Sequence, residues 1–363
     1  MKVAVRVDQS PEIGSGHLQR CLTLALGLSE LGGEITFYCR KVSAPHRHLL
    51  ESRGFEVKEL NSKKQKQSDR GREDKPYQSW LGVSEEKDAG DCVGSMSQGN
   101  HELVIVDHYA LGEKWERRLK PHCQTIVVLD DLANRLHACD ILVDQTYARN
   151  PQNYLGLVPD NCTVLAGSQF SMLRQEFLKH RHESLLRRRS LYKGNLLISF
   201  GGSDLDNVTI AVLTSAKRWI QKNQMTVTVV LGANAPHADE VRAFCSSQGY
   251  SFVEGTNQMA ELMASNDLCI GGAGTSTWER FCLGLPSIAV KLADNQSTII
   301  DNLTRENLLW RLDSVDIANN LDAMGLRLTD DALATNGQRI STLVDGYGVS
   351  RVIDLIRARV DAA

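Results

Sequence analysis

Four short stretches of this 363-residue chain carry residue types suited to chemistry on a phosphorylated ligand. The first is Gly14-Ser15-Gly16-His17. A glycine-broken turn lets backbone approach a ligand closely, and the apolar-periodic stretch behind it opens a helix whose first N–H groups lack partners. A histidine there feels the positive helix end, which favours the neutral imidazole that accepts a proton. The alternative is a solvated or capping histidine. The second stretch is Asp107-His108-Tyr109, behind the apolar "LVIV". Its chemical reading sends the Tyr109 hydroxyl to a ligand. Its plain reading is a turn, with Asp107 capping the next helix and Tyr109 packed on the sheet.

The third stretch is "SFGGSD", Ser199 to Asp204. Gly201, Gly202 and Ser203 can cradle a diphosphate with backbone N–H groups, or form an ordinary βα turn with Ser203 and Asp204 as helix caps. No G-K-[ST] follows, and no acid stands at dinucleotide spacing, so neither a Walker loop nor a dinucleotide fingerprint is present. The fourth, "IGGAGTSTWERFCLGLPSIAV" (270–290), is the most informative. Gly271, Gly272 and Gly274 form a turn, and Thr275 and Ser276 follow as hydroxyls able to cap a helix or bind phosphate oxygens. Glu279 stands where a carboxylate can take the two hydroxyls of a ribose. Glycine turn, hydroxyls, acid and G-x-P in that order read as a nucleotide-diphosphate-sugar signature. Beyond the next strand, Asn295 and Gln296 offer amides to sugar groups, or Asn295 is a helix N-cap.

These residues need elements to hold them. Near-continuous apolar runs at 2–7, 35–40, 55–60, 102–109, 125–131 and 140–145 read as strands of a parallel sheet covered on both faces. Residues 17–31 carry one apolar face and read as a helix. The pattern restarts at 195–202, 226–232, 250–255, 267–272 and 286–292, with helical stretches at 205–221 and 275–284. Two successive βα arrays predict an α/β chain of two doubly wound, Rossmann-like parallel-sheet domains facing across a cleft. All four stretches then fall at carboxyl ends of strands, where open parallel sheets bind ligands. The expected division is a first domain over 1–170 with a polar insertion at about 61–100, a helical connection over 171–190, a second domain over 191–345, and a final helix over 346–363. The charged run 61–75 reads as a solvated surface segment or a lid over substrate.

Composition bounds the function class. Hydrophobic residues make up 42%, charged residues 23%, and the formal net charge is −3. This balance offers nothing to nucleic acid or to an anionic membrane. The nine cysteines are scattered without C-x-x-C or Cys/His metal spacing, which predicts free thiols and no metal. No apolar run approaches the roughly 18 residues of a membrane span, and no signal-like segment follows Met1. A cytoplasmic monomer without cofactor is expected.

Taken together, the chain resembles the UDP-sugar hydrolases of the pseudaminic-acid pathway. These enzymes remove UDP from UDP-2,4-diacetamido-2,4,6-trideoxy-β-L-altropyranose and are relatives of GT-B glycosyltransferases, especially the N-acetylglucosaminyltransferase that makes lipid II. The likeness runs through "RVDQSPEIGSGHLQRCLTLA", "YQSWLGVSEEKDA" (77–89), "VDHYAL" (106–111), "FSMLRQEF" (170–177), "SFGGSD", "GGAGTSTWERFCLGLPSI" (271–288) and "NQ" (295–296). It implies a GT-B-like fold and a nucleotide-sugar hydrolase with a small-molecule UDP-sugar as partner. It implies that His17 activates water and that Gly14, Gly16, Tyr109, Asn295 and Gln296 contact the substrate. Gly201, Gly202, Ser203, Gly274, Thr275, Ser276 and Glu279 then make up the UDP site. The sequence departs from the family at Asp8-Gln9-Ser10-Pro11, where Asp-Ser-Ser or similar is usual. A GT-B glycosyltransferase, a hydrolysing 2-epimerase or a non-catalytic nucleotide-sugar-binding protein are the competing readings.

Overall fold

A computed structural model describes residues 1–60, 77–96, 101–189, 194–233, 235–291, 296–313, 317–325 and 327–361. The chain forms two compact units, Met1–Met172 with Tyr347–Ala363, and Leu173–Gly346.

The first unit is built from β1 (Lys2–Val7), α1 (Gly16–Glu30), β2 (Glu34–Cys39), α2 (Ala44–Ser52), β3 (Glu56–Glu59), α3 (Gln78–Leu81), α4 (Glu85–Met96), β4 (His101–Asp107), α5 (Glu113–Leu119), β5 (Cys123–Leu129), β6 (Ile141–Asp144) and β7 (Thr163–Ala166). Its strands lie in the order β3-β2-β1-β4-β5-β6-β7, all parallel. Strand residues alternate between two cores, as the two-residue period of a strand requires. Val3, Val5 and Ile105 pack with Leu18, Leu24 and Leu28 of α1. Ala4, Val104 and Val106 pack on the other face with Leu81, Ala89, Cys92, Met96 and Trp115. Because both faces are covered, the strands read as continuous apolar runs.

The expectation of a polar insertion over 61–100 is corrected in its second half. Residues 61–76 lie outside the described residues, but α3 and α4 are core elements. The buried Asp88 of α4 receives Arg6 Nε at 3.0 Å, Arg40 Nε at 2.9 Å and the Trp115 indole N–H at 3.0 Å. Arg6 also grips Asp8 at 2.6 and 3.0 Å, and Asp8 accepts the backbone N–H of Arg40 and Lys41. A fully buried ion network thus pins the carboxyl end of β1, and with it the loop that leads to α1.

The second unit runs α6 (Gln175–Arg187), β8 (Asn195–Ser199), α7 (Val208–Lys222), β9 (Thr226–Leu231), α8 (Ala238–Gln248), β10 (Ser251–Glu254), α9 (Met259–Ser265), β11 (Leu268–Gly272), α10 (Ser276–Cys282), β12 (Ser287–Val290), α11 (Ser297–Arg305), β13 (Trp310–Leu312), α12 (Ile317–Gly325) and α13 (Asp330–Leu343). The sheet order is β10-β9-β8-β11-β12-β13, again parallel. The basic stretch at 175–188 packs within this unit. Arg181 donates to the carbonyls of Ser341 and Val344, and Arg188 donates to those of Met263, Asn266 and Leu283. Ser184 adds a bond to Leu283 O at 2.7 Å. Its arginines therefore satisfy carbonyls at and just beyond the ends of α9, α10 and α13, where helices run out of internal donors. The last helix, α14 (Gly348–Asp361), returns to the first unit and lies on α1.

Candidate functional site

Each sheet reverses its strand order beside its first strand, between β1 and β4 in one unit and β8 and β11 in the other. Such switch points open a crevice at the carboxyl ends of the strands. The singled-out stretches follow these four strands.

In the first unit the loop after β1 closes on itself. Gly14 N–H bonds to Ser10 O at 2.8 Å, and Gly14 takes φ +78°, in open space. Glycine is required there by the backbone angle. Gly16 then opens α1, and His17 is its second residue, buried to 9% exposure. His17 Nδ1 lies 2.6 Å from Asp107 Oδ1 at the end of β4. A carboxylate only accepts, so Nδ1 carries a proton, and in the neutral imidazole Nε2 is the nitrogen that can accept one. A buried carboxylate fixes its tautomer and its orientation.

Asp107 is not a helix cap, contrary to the plain reading of its sequence. It also receives Arg20 Nε at 2.6 Å and Nη2 at 2.7 Å. Burial opposes its charge, but Arg20 and then His17 outweigh burial and hold the carboxyl well below its usual range. Arg20 continues to Asp131, and Asp131 accepts the Tyr109 hydroxyl at 3.0 Å. The Tyr109 proton is thus committed to Asp131. What Tyr109 turns toward His17 is its ring, edge-on at 4.6 Å. Trp80 stacks on Tyr109 at 5.7 Å and meets His17 at 6.0 Å, and Tyr77 touches both aromatic neighbours at 4.7 and 5.1 Å. Tyr77 holds φ +67°, a left-handed conformation unusual for a bulky residue. His108 Nε2 lies 3.5 Å from Asp8 Oδ2. Its Nδ1 accepts Ala110 N–H at 3.1 Å, and burial lowers its basicity.

Beside Asp131 stand two further buried acids. The Tyr154 hydroxyl lies 2.9 Å from both Asp130 Oδ2 and Asp144 Oδ2. Arg135 pairs with Asp130, and Arg149 with Asp144. Burial, and then the charge of Asp131, push the Asp144 carboxyl up to about 6.

The second unit gathers the other residues. Gly201 and Gly202 are exposed, and Ser203 is half-buried. Asp204 accepts the N–H groups of Val208 and Thr209 at 2.9 and 3.0 Å, so the α7 terminus is closed by its own carboxylate. Any cradle here is the turn before Asp204. Gly232 backs this turn: a Cβ built on it lies 2.1 Å from Gly202 O. At the β11 end, Gly274 and Ser276 are half-buried and Thr275 is exposed. Thr275 occupies the N-cap position of α10 without a side-chain cap bond. Glu279 Oε1 is 3.3 Å from Arg174 Nη2. Burial raises the Glu279 carboxyl, with Arg174 opposing. Gln296 comes close, since a Cβ on Gly274 lies 3.9 Å from its Nε2. Asn295 lies outside the described residues.

The structure thus groups Gly14, Gly16, His17 and Tyr109 in one unit, and Gly201, Gly202, Ser203, Gly274, Thr275, Ser276, Glu279 and Gln296 in the other. Sequence reasoning missed Asp107 as the histidine's partner, together with Arg20, Asp131, Tyr77 and Trp80. Arg20 had a signal, three residues after His17 on the same helix face. Among the described residues no group of three His, Cys, Asp or Glu side chains is placed to hold a metal ion, and no helix is long and apolar enough to cross a membrane. All nine cysteines are free.

The model of the glycosyltransferase family 28 C-terminal domain matches residues 196–310, inside the second unit. An uncharacterized protein of Methanocaldococcus jannaschii is 26% identical over 315 residues, which cover 84% of this chain and 59% of that protein. The chain therefore spans less than two thirds of that relative's length. The UDP-2,4-diacetamido-2,4,6-trideoxy-beta-L-altropyranose hydrolase of Campylobacter jejuni is 24% identical over 300 residues, covering 82% of this chain and 94% of that enzyme. Among solved structures, MurG of Acinetobacter baumannii superposes with a TM-score of 0.67 at 13% identity, over 98% of this chain and 99% of that one. The chain has a GT-B-like fold of two doubly wound α/β units, the second of which matches the glycosyltransferase family 28 C-terminal domain.

Proposed function

We propose that the chain is a nucleotide-sugar hydrolase that releases UDP from a UDP-linked 2,4-diacetamido-2,4,6-trideoxy sugar, with His17 as general base. The observation that carries this reading is the His17–Asp107 pair at 2.6 Å, a base with its proton-accepting nitrogen set by a buried carboxylate. The name of the Campylobacter relative supports the choice of substrate class.

In this reading water attacks the anomeric carbon and passes its proton to His17 Nε2. The bond from that carbon to the diphosphate oxygen breaks, its electron pair leaves with UDP, and configuration inverts. Asp107 stabilises the imidazolium that forms. A positioned base contributes about 10²–10⁴-fold. The rings of Tyr77, Trp80 and Tyr109 form an apolar wall beside His17, suited to the methyl and ring C–H groups of a deoxy sugar. Gly14 and Gly16 leave room for the sugar, and Asn295 and Gln296 hold its amide or hydroxyl groups. Gly201, Gly202, Ser203, Gly274, Thr275 and Ser276 hold the diphosphate, and Glu279 the ribose.

Sugar transfer to an acceptor is the second reading, favoured by the family 28 match in the nucleotide-binding half. Incubation with the UDP-diacetamido sugar alone separates the two. Phosphorus and proton NMR should show UDP and the inverted free sugar without any acceptor, and ¹⁸O from water should enter the sugar. Turnover that requires an added acceptor, or label found in UDP, refutes hydrolysis at carbon.

A further inference from the structure

The second unit contains a buried cation that the proposed chemistry does not use. Arg280, in α10, is 1% exposed. Its Nη2 donates to Gly272 O at 2.6 Å and to Thr277 Oγ1 at 3.1 Å. Its Nε donates to Ser276 O at 3.2 Å, and its Nη1 approaches Cys269 Sγ at 3.6 Å. Among the described residues its hydrogen-bond partners are carbonyls, a hydroxyl and a thiol, and the carboxylate that feels its charge is the neighbouring Glu279. A buried charge is ordinarily matched by an opposite charge, because dipoles alone leave much of its desolvation penalty standing.

The fold makes room for this cation deliberately. A Cβ built on Gly271 lies 3.0 Å from Arg280 Nη1 and 2.4 Å from Ser199 O. Glycine at 271 is therefore explained by the guanidinium and the neighbouring strand as much as by any ligand. The guanidinium lies beneath the turn that runs from β11 into α10, bonded to carbonyls at both of its ends, Gly272 and Ser276. This turn stands at the sheet's switch point, and Gly274, Thr275 and Ser276 are its accessible part.

We propose that Arg280 is a positioning residue that fixes this turn from below and whose buried positive charge makes the site favour a phosphate-bearing nucleotide over a neutral nucleoside. The inference rests on the reading of this turn as a UDP site. The guanidinium does not touch the ligand. It acts through the turn's backbone and through its field, which the surrounding low-dielectric interior screens little. A ligand diphosphate adds negative charge to that of Glu279.

The test is calorimetric binding of uridine and UDP to the full chain and to Arg280→Gln. Wild type should bind UDP more tightly than uridine. Arg280→Gln should lose about tenfold or more in UDP affinity while its uridine affinity stays unchanged. Equal losses for both ligands, or an unaltered UDP preference, overturn the inference. If wild type shows no affinity for UDP, the reading of the turn itself fails instead. Should Arg280→Gln not fold, the wild-type protein labelled with ¹⁵N-arginine decides, with Arg280→Lys used to assign the signal. The buried Arg280 Nε–H resonance should move when UDP is added and stay in place with uridine. A resonance indifferent to UDP at saturation refutes the role.

Discussion

Asp107→Asn tests the assignment of His17 most directly. The native carboxylate accepts from His17 Nδ1 at 2.6 Å and from Arg20 at 2.6 and 2.7 Å. An asparagine offers one carbonyl oxygen and one NH2 group in the same space. If the NH2 faces His17, the imidazole must shift its proton to Nε2 and the base is lost. If it faces Arg20, a donor meets a buried cation and the side chain cannot settle. The rate should fall by about 10²–10⁴-fold, the worth of a positioned base. Stability should fall too, toward the low end of the roughly 3–5 kcal/mol for breaking a buried ion pair, because Arg20 keeps Asp131. A domain with the usual 5–15 kcal/mol of stability, an approximate range, survives that loss. The assay is UDP release at saturating substrate, with folding checked by circular dichroism and His17→Ala as reference. Residues acting as a unit give non-additive losses, so the double variant should be about as slow as His17→Ala alone. A folded Asp107→Asn enzyme with near-native kcat, or a double variant slowed by the product of the single effects, refutes the dyad.

Three further expectations follow from the same geometry. Glu279→Gln should raise KM for the UDP-sugar by roughly 2–12-fold, one hydrogen bond's worth, with kcat unchanged. An unaltered KM removes Glu279 from the ribose. Gly232→Ala should displace the Gly201–Ser203 turn and cost about 1–3 kcal/mol in thermal stability, because its Cβ meets backbone at 2.1 Å and cannot be accommodated by a side-chain swing. UDP affinity should drop with it, and an unchanged melting temperature counts against the close approach. Urea titrations should show two opposite pH effects. Burial raises Asp8, Asp88, Asp107 and Asp130, yet arginines overcome it and hold all four below the usual range. Their stabilisation is present above the ordinary carboxylate value and is lost as pH falls below about 4. Asp144, pushed up to about 6 by burial and then Asp131, binds a proton in the folded chain before the unfolded one does. Its contribution falls as pH rises from the ordinary value to about 6, and Asp144→Asn should flatten that interval alone.

Much of the scaffold was legible because parallel strands covered on both faces leave continuous apolar runs, as at 2–7 and 102–107. Two strands were not. The half-buried "TVLA" (163–166) and the three-residue "WRL" (310–312) lie at sheet edges, where little apolar surface is buried and little pattern is written. Helix α4 was hidden for another reason. Beside the apolar Ala89, Cys92 and Met96 it is held by the buried Asp88 with two arginines, and a charged residue in sequence looks the same whether it faces water or a partner. His17 could be singled out from the glycines and the helix start, but its partner stands 90 residues away. Only the pairing of β1 with β4 brings the two together, and no local spacing records it. The arginines of 181–188 were legible as charge and not as ligands for carbonyls that three other helices bring to them.

The return of α14 bears on how the chain is made. The second unit is one continuous stretch, whereas the first lacks Val352, Ile353 and Ile356 of its core until the last helix is synthesised. A Cβ on Gly27 of α1 would lie 2.5 Å from Ile353, so the two helices meet closely. During translation at roughly 5–20 residues per second, the helix that bears His17 and Arg20 waits with an uncovered apolar side for on the order of ten seconds or more. The second unit can therefore complete on the ribosome before the first, whose core waits for α14. Nascent-chain proteolysis would see this order directly: protection of the second unit ahead of the first.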